Sequence, residues 1–248
     1  MVNRVALAVV ALAMTLSPLH AAEEPRLLYL THSAGFRHDV IPQSQVVVKG
    51  LAERSGAFTV TVSEDVGTLS AESLEHYAAV MFYTTGELPV SSAEKAALLA
   101  FVRSGHGFIG VHSATDTFYT WPDYLELIGG YFNGHPWHQE VTIDVVDRTS
   151  ALVNFLGAEF RINDEIYQIS DFDYRGSHVL LRLNPASVDP AKPGVQRRFY
   201  GWPLAWTRSY GAGHVFYTAL GHEAAVWQDP RYQQMLLNAI LWGLGGPR

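Results

Sequence analysis

Residues 27–31, 78–84 and 108–111 form short runs that are apolar at successive positions, not at alternate ones. A strand of that kind must be covered on both faces, which only a layered α/β architecture provides. The stretches between the runs supply the covering layers. Residues 43–54 have helical spacing, residues 58–63 alternate like a strand, and residues 71–77 read as a short helix. Ser92 is expected to cap the next helix with Lys95 at its third position, and the helix runs to Arg103 before Gly105. Four βα units in succession imply a mostly parallel sheet with right-handed crossovers and helices on both faces. Beyond Tyr119 the pattern changes. Residues 138–146 alternate, with Val141, Ile143 and Val145 on one face. Residues 179–183 and 214–218 are further strands, 232–244 a closing helix, and 184–196 a surface loop. Neither repeats nor a linker interrupt the chain, so residues 22–248 are expected to form one domain.

The amino terminus is read separately. Arg4 followed by an apolar run over 5–16 and the small residues Ala21 and Ala22 fits a signal peptide over residues 1–21, cleaved after Ala21. The run is too short to span a bilayer. A periplasmic or secreted protein is expected, with no membrane association after cleavage. With 17 basic and 24 acidic residues, and only Lys49, Lys95 and Lys192 as lysines, no basic stripe exists to hold nucleic acid. Cysteine is absent, which removes disulfides, thiolate metal sites and cysteine nucleophiles together. Eleven histidines remain, so any metal must be held by imidazole and carboxylate.

Ligands of open parallel sheets bind beyond the carboxyl ends of the strands. Just past the apolar runs lie His32, Arg37, His38 and Asp39, then Glu87, then His112, Ser113 and Asp116. Three strands thus deliver titratable groups to one rim. His222 follows the strand over 214–218 and joins them. Gly134-His135-Pro136-Trp137-His138 places two histidines at a three-residue spacing, a chelating option beside a plain aromatic turn. Asn163-Asp164-Glu165-Ile166-Tyr167 sets acids beside an apolar strand, where a carboxylate can act as general acid or base. The Gly105-His106-Gly107 segment precedes a strand, so it is no dinucleotide or phosphate loop, and no nucleotide cofactor is expected. Ser113 lacks the flanking glycines of a hydrolase nucleophile elbow.

The segments THSAGFRHD (31–39), GVHSATD (110–116), GGYFNGHPW (129–137), DEIY (164–167) and FYTALGH (216–222) together resemble the ThuA-like, or trehalose-utilisation, family. The resemblance implies a flavodoxin-like fold similar to that of class I glutamine amidotransferases. Without cysteine, the thiol chemistry of those amidotransferases is excluded. It further implies work on small carbohydrates, glycosides or 3-keto-glycosides. On that reading His112 or Glu165 is the base, with Asp116 beside them. Arg37, His38, Glu87, Trp137 and Tyr167 are candidates for binding substrate, and Trp121, Tyr119 and Tyr131 offer further flat faces for a sugar. His32, His135 and His222 are candidate ligands of one divalent transition metal, zinc or similar. A non-catalytic carbohydrate-binding or scaffolding protein is the alternative, and a hydrolase using bound water is a third reading. A second copy of the chain is a further candidate partner.

Overall fold

The computed structural model describes residues 24–196 and 201–246. The expected signal peptide and its cleavage point lie outside the described residues. Among the described residues no helix is long and apolar enough to cross a membrane.

The chain begins with β1 (Arg26–Leu30), α1 (Ile41–Ser55), β2 (Thr59–Ser63), α2 (Ala71–Leu74), β3 (Ala79–Phe82), α3 (Ser92–Arg103) and β4 (Gly107–Val111). It continues with α4 (Pro122–Ile128), β5 (Tyr131–Phe132), β6 (Trp137–Val145), β7 (Glu159–Ile166), β8 (Ile169–Ser170) and β9 (His178–Leu183). The last elements are β10 (Pro203–Tyr210), β11 (Gly213–Thr218), α5 (Ala224–Gln228) and α6 (Pro230–Gly243).

Nine strands form one sheet in the order β2-β1-β3-β4-β11-β10-β9-β6-β7, and β5 pairs with β8 apart from it. From β2 to β11 every pairing is parallel. From β11 to β7 every pairing is antiparallel. The consecutive apolar runs therefore mark the parallel half, where β3 and β4 are buried at every position. Helices α1, α5 and α6 pack with one another, α2 packs with α3, and both groups reach the central strands. At Gly107 helix α6 comes so close that an added Cβ would sit 2.3 Å from the Gly243 carbonyl oxygen. The side-chain-free position is what permits that backbone contact.

Helix α3 is capped one residue earlier than expected. Ser91 accepts from the Glu94 N–H, and Glu94 accepts from the Ser91 N–H, a complete capping box. Adjacent serines left a one-residue ambiguity, and the glutamate at the third position decides it. Strand β10 was not foreseen. In β7 the residues Phe160, Ile162 and Asp164 are buried, so an aspartate occupies a core-facing position of an alternating strand.

Candidate functional site

The carboxyl ends of β1, β4 and β11 lie on one rim, and the loops leaving them carry His38, His112 and His222. Strand β7 is five places from β4 in the sheet, yet Glu165 Oε2 lies 3.5 Å from His112 Nε2. The antiparallel half thus curls back over the rim of the parallel half. One atom from each of His38, His112, Glu165 and His222 can be chosen so that all lie within 4.8 Å of one another.

His112 is fully buried and has a positive φ of 46°, a conformation that L-residues adopt rarely and at a cost. Its surroundings hold it there. Tyr217 donates to its backbone carbonyl at 2.7 Å, and its Nδ1 lies 2.7 Å from the Ala219 carbonyl oxygen. A carbonyl only accepts, so Nδ1 carries a proton, and in the neutral ring Nε2 presents its lone pair. In that neutral form Tyr167, itself buried, donates its hydroxyl proton to Nε2, the two atoms lying 2.9 Å apart.

Glu165 is the hub. Its Oε1 lies 3.1 Å from His135 Nδ1, and its Oε2 lies 3.3 Å from His222 Nδ1. Burial alone would raise its carboxyl, but the neighbouring His112 and His222 outweigh burial and hold it well below the usual carboxylate range. His222 is raised in turn by Glu165, against a smaller opposing effect of burial. His38 is buried, and burial together with the charges of His112 and His222 lowers it to about 3. Its ring lies edge-on to His112 and His222, with centroids 4.9 and 5.2 Å away.

Asp164, next to Glu165, explains how His222 is placed. The buried carboxylate accepts from the N–H groups of Gly221, His222 and Glu223 at 2.7, 3.1 and 3.0 Å. Gly221 makes this turn with φ 125°, and a Cβ there would meet the Tyr232 hydroxyl at 2.8 Å. Asp164 was not among the candidate site residues. Its signal was available, since a core-facing acid in an alternating strand needs partners.

Six of the candidates therefore meet: His38, His112, His135, Glu165, Tyr167 and His222. Asp116 stands at the margin, accepting from the Tyr119 hydroxyl at 2.6 Å, with its carboxyl raised by burial. Four candidates lie elsewhere. His32 is engaged through Nδ1 with the Glu64 carbonyl at 2.8 Å, so in the histidine group the position foreseen for it is held by His38. Arg37 makes a two-pronged pair with Glu64 at 2.9 and 2.7 Å on the exterior. Both oxygens of Glu87 are taken by the backbone and hydroxyl of Thr120. Trp137 offers no face to a sugar. It is fully buried against Trp202, and its indole N–H donates to the Asp189 carbonyl. Trp121 and Tyr131 are also buried, while Tyr119 is partly exposed. His135 and His138 face different carboxylates, Glu165 and Glu223 respectively.

Beside the histidines opens a cleft of about 340 Å³, lined by Phe36, His38, Asp39, Val40, Gln43, His222, Glu223 and Ala224. A larger hollow of about 850 Å³ runs between α3 and α4, lined by Leu99, Arg103 and Trp121 among others, and includes none of the clustered histidines. Of the clustered residues, His38 and His222 line the smaller cleft.

Comparison with known proteins fits this architecture. The profile of the ThuA family, described as trehalose utilisation, matches residues 26–243. No curated protein matches the chain. A crystal structure of a ThuA-like protein from Bacteroides uniformis ATCC 8492 is similar at TM-score 0.74 and 24% identity, covering 92% of this chain and 95% of that one. A ThuA-like protein from Parabacteroides merdae ATCC 43184 is similar at TM-score 0.71 and 19% identity, over 90% and 91% of the two chains. A β-galactosidase from Bacillus circulans sp. alkalophilus shares the fold at TM-score 0.56 and 13% identity, over 90% of this chain and 31% of that one. At these identities the solved structures speak to fold alone.

Proposed function

Since this chain belongs to the ThuA, or trehalose-utilisation, family, we propose that it is an enzyme processing small carbohydrates, glycosides or 3-keto-glycosides, by proton transfer at His112. The observation that carries the reading is the fixed tautomer of His112. Its Nδ1–H is spent on the Ala219 carbonyl, so a basic Nε2 is left facing Tyr167 and Glu165 in a largely buried setting. A histidine held only for packing does not need its second nitrogen oriented toward a phenol and a carboxylate.

A carbonyl at C3 of a sugar acidifies the hydrogen at C2. His112 Nε2 takes that proton, and the C–H electron pair forms the C1–C2 double bond as the C1–O bond breaks. The departing oxygen takes the proton of the Tyr167 hydroxyl, and His112 then returns its own proton to the phenolate. The products are an enone and a free alcohol, and both residues regain their starting states. Glu165, held ionised by the imidazoles around it, lies 3.5 Å from that Nε2, so its negative charge faces the positive charge that develops there during the step. We also propose, from residues 1–21, that the protein works after export.

The test is turnover of a 3-keto-glycoside followed by NMR of the products. His112→Ala is expected to lower turnover by about 10²–10⁴-fold, the usual worth of a positioned base. Turnover equal to the unaltered protein overturns the assignment. Saturable sugar binding with no product overturns the enzymatic reading in favour of a carbohydrate-binding protein.

A further inference from the structure

Beside the proton-transfer pair the same pocket holds nitrogen atoms that the chemistry above does not use. The Nδ1 atoms of His38 and His222 are both shielded from solvent and have no hydrogen-bond partner. An imidazole nitrogen left unsatisfied indoors is costly, so it asks for an explanation. His222 Nδ1 keeps an ion-pair contact with Glu165 Oε2 at 3.3 Å, outside hydrogen-bond alignment, so His38 Nδ1 is the nitrogen with neither kind of partner. Ligand atoms around a tetrahedral zinc, bonded at about 2.0–2.1 Å, sit about 3.4 Å apart. The contact thus has the spacing of two ligands converging on a common point.

We infer that His38, His222 and Glu165 form a three-ligand site for one divalent transition metal, zinc being the natural occupant of two imidazoles and a carboxylate. His112 is set apart from the ligands by its own bonds. Both of its ring nitrogens are already engaged, one with the Ala219 carbonyl and one with the Tyr167 hydroxyl, and Nε2 is freed to act as base only as Tyr167 turns its proton to the departing oxygen. Three protein ligands leave a position open, as catalytic sites require, and the cleft lined by Phe36, Gln43 and Glu223 leads to it. Asp164 is the supporting contact, because its three backbone bonds hold the loop that carries His222. A metal here would supply a Lewis acid for the sugar's carbonyl oxygen. The ligand set replaces the combination of His32, His135 and His222 suggested by the strand ends. An outer trio of His138, His222 and Glu223 is the rival set, since it shares His222.

The inference deepens the function proposed above, and its test is made without sugar so that the two can fail separately. Untagged full-length protein is stripped with chelator and titrated with Zn²⁺ by calorimetry, and the visible ligand-field bands of added Co²⁺ report the geometry. One equivalent of metal is expected. Affinity should fall by at least ~100-fold in His38→Ala and in His222→Ala, and stay unchanged in His138→Ala. Circular dichroism and Tm of each stripped variant show whether it is folded, and His38→Gln, which keeps a polar group of similar size, replaces an alanine variant that is not. Absence of binding overturns the site, leaving Glu165 and His222 as an ion pair only. Loss of binding in His138→Ala with retention in His38→Ala overturns it in favour of the outer trio.

Discussion

The parallel and antiparallel halves of the sheet build the site in different ways. Strands β3 and β4 are buried at every residue, so side chains within them have no route to a ligand. That half can present chemistry only at its strand ends, and His38, His112 and His222 all sit in the loops there. Strands β6 and β7 alternate between buried and exposed positions over much of their length. An alternating strand keeps one face free, so it can project a functional group from within its own length, as β7 does with Glu165. The lesson is a division of labour. Loops of a rigid parallel scaffold give the imidazoles, and a curled antiparallel flap gives the carboxylate, with the phenol of Tyr167 just beyond it. Neither half holds the site alone.

Substitutions on the two sides should separate support of the flap from construction of the site. The largest effect on stability is expected at Trp137, in the antiparallel half. Trp137→Ala empties a fully buried indole position and should cost about 3–5 kcal/mol in chemical denaturation, with little change in zinc affinity of the folded fraction. A loss of sugar binding at unchanged stability would return Trp137 to the role of a sugar platform.

Next comes Asp164, which ties the flap to the loop after β11. Asp164→Ala leaves three backbone N–H groups without their acceptor, while relieving the cost of burying a carboxylate. The balance is a loss of about 2–4 kcal/mol, accompanied here by weaker zinc binding, because His222 loses its support. If stability fell and zinc affinity did not, Asp164 would be a fold residue with no part in placing the ligand.

The smallest effect belongs to the exterior of the parallel half. Arg37 holds the Glu64 carboxyl below its ordinary range, chiefly through their direct hydrogen bonds. A carboxyl lowered in the folded state contributes stability above the unfolded pKa and loses it as pH falls through the folded one. Arg37→Ala should therefore flatten the acid side of the stability–pH profile by under about 1 kcal/mol, as suits an exposed pair. An unchanged profile would show that solvent screens the pair completely.

How much of this could be read in advance differs between the halves for the same reason. Runs of consecutive apolar residues are a local signal, so β1, β3 and β4, and with them the rim residues His38 and His112, were legible from the sequence. His32 and Arg37 sit on the same loop as His38, and the sequence does not separate them. Which histidine turns inward depends on the path of that loop over Glu64. Trp137 resembled a sugar platform because an aromatic in a proline turn looks alike whether it faces a cleft or, as here, Trp202. Asp164 was read only as one of the acids beside an apolar strand and given no role, because its partners lie 57 to 59 residues further along the chain.

Local pattern was therefore sufficient for the parallel core and most of the elements around it, though not for β10, and for the family resemblance and the stock of imidazoles and carboxylates available for chemistry. Periodicity and strand ends are properties of neighbouring residues, and they are written wherever the chain is read. The meeting of Glu165 with His112 across five strand positions was decided only by tertiary structure, because it depends on how the two distant strands are brought together in space and not on any neighbouring residues. The tautomer of His112 was decided there as well, by a carbonyl 107 residues distant in sequence that no local pattern announces.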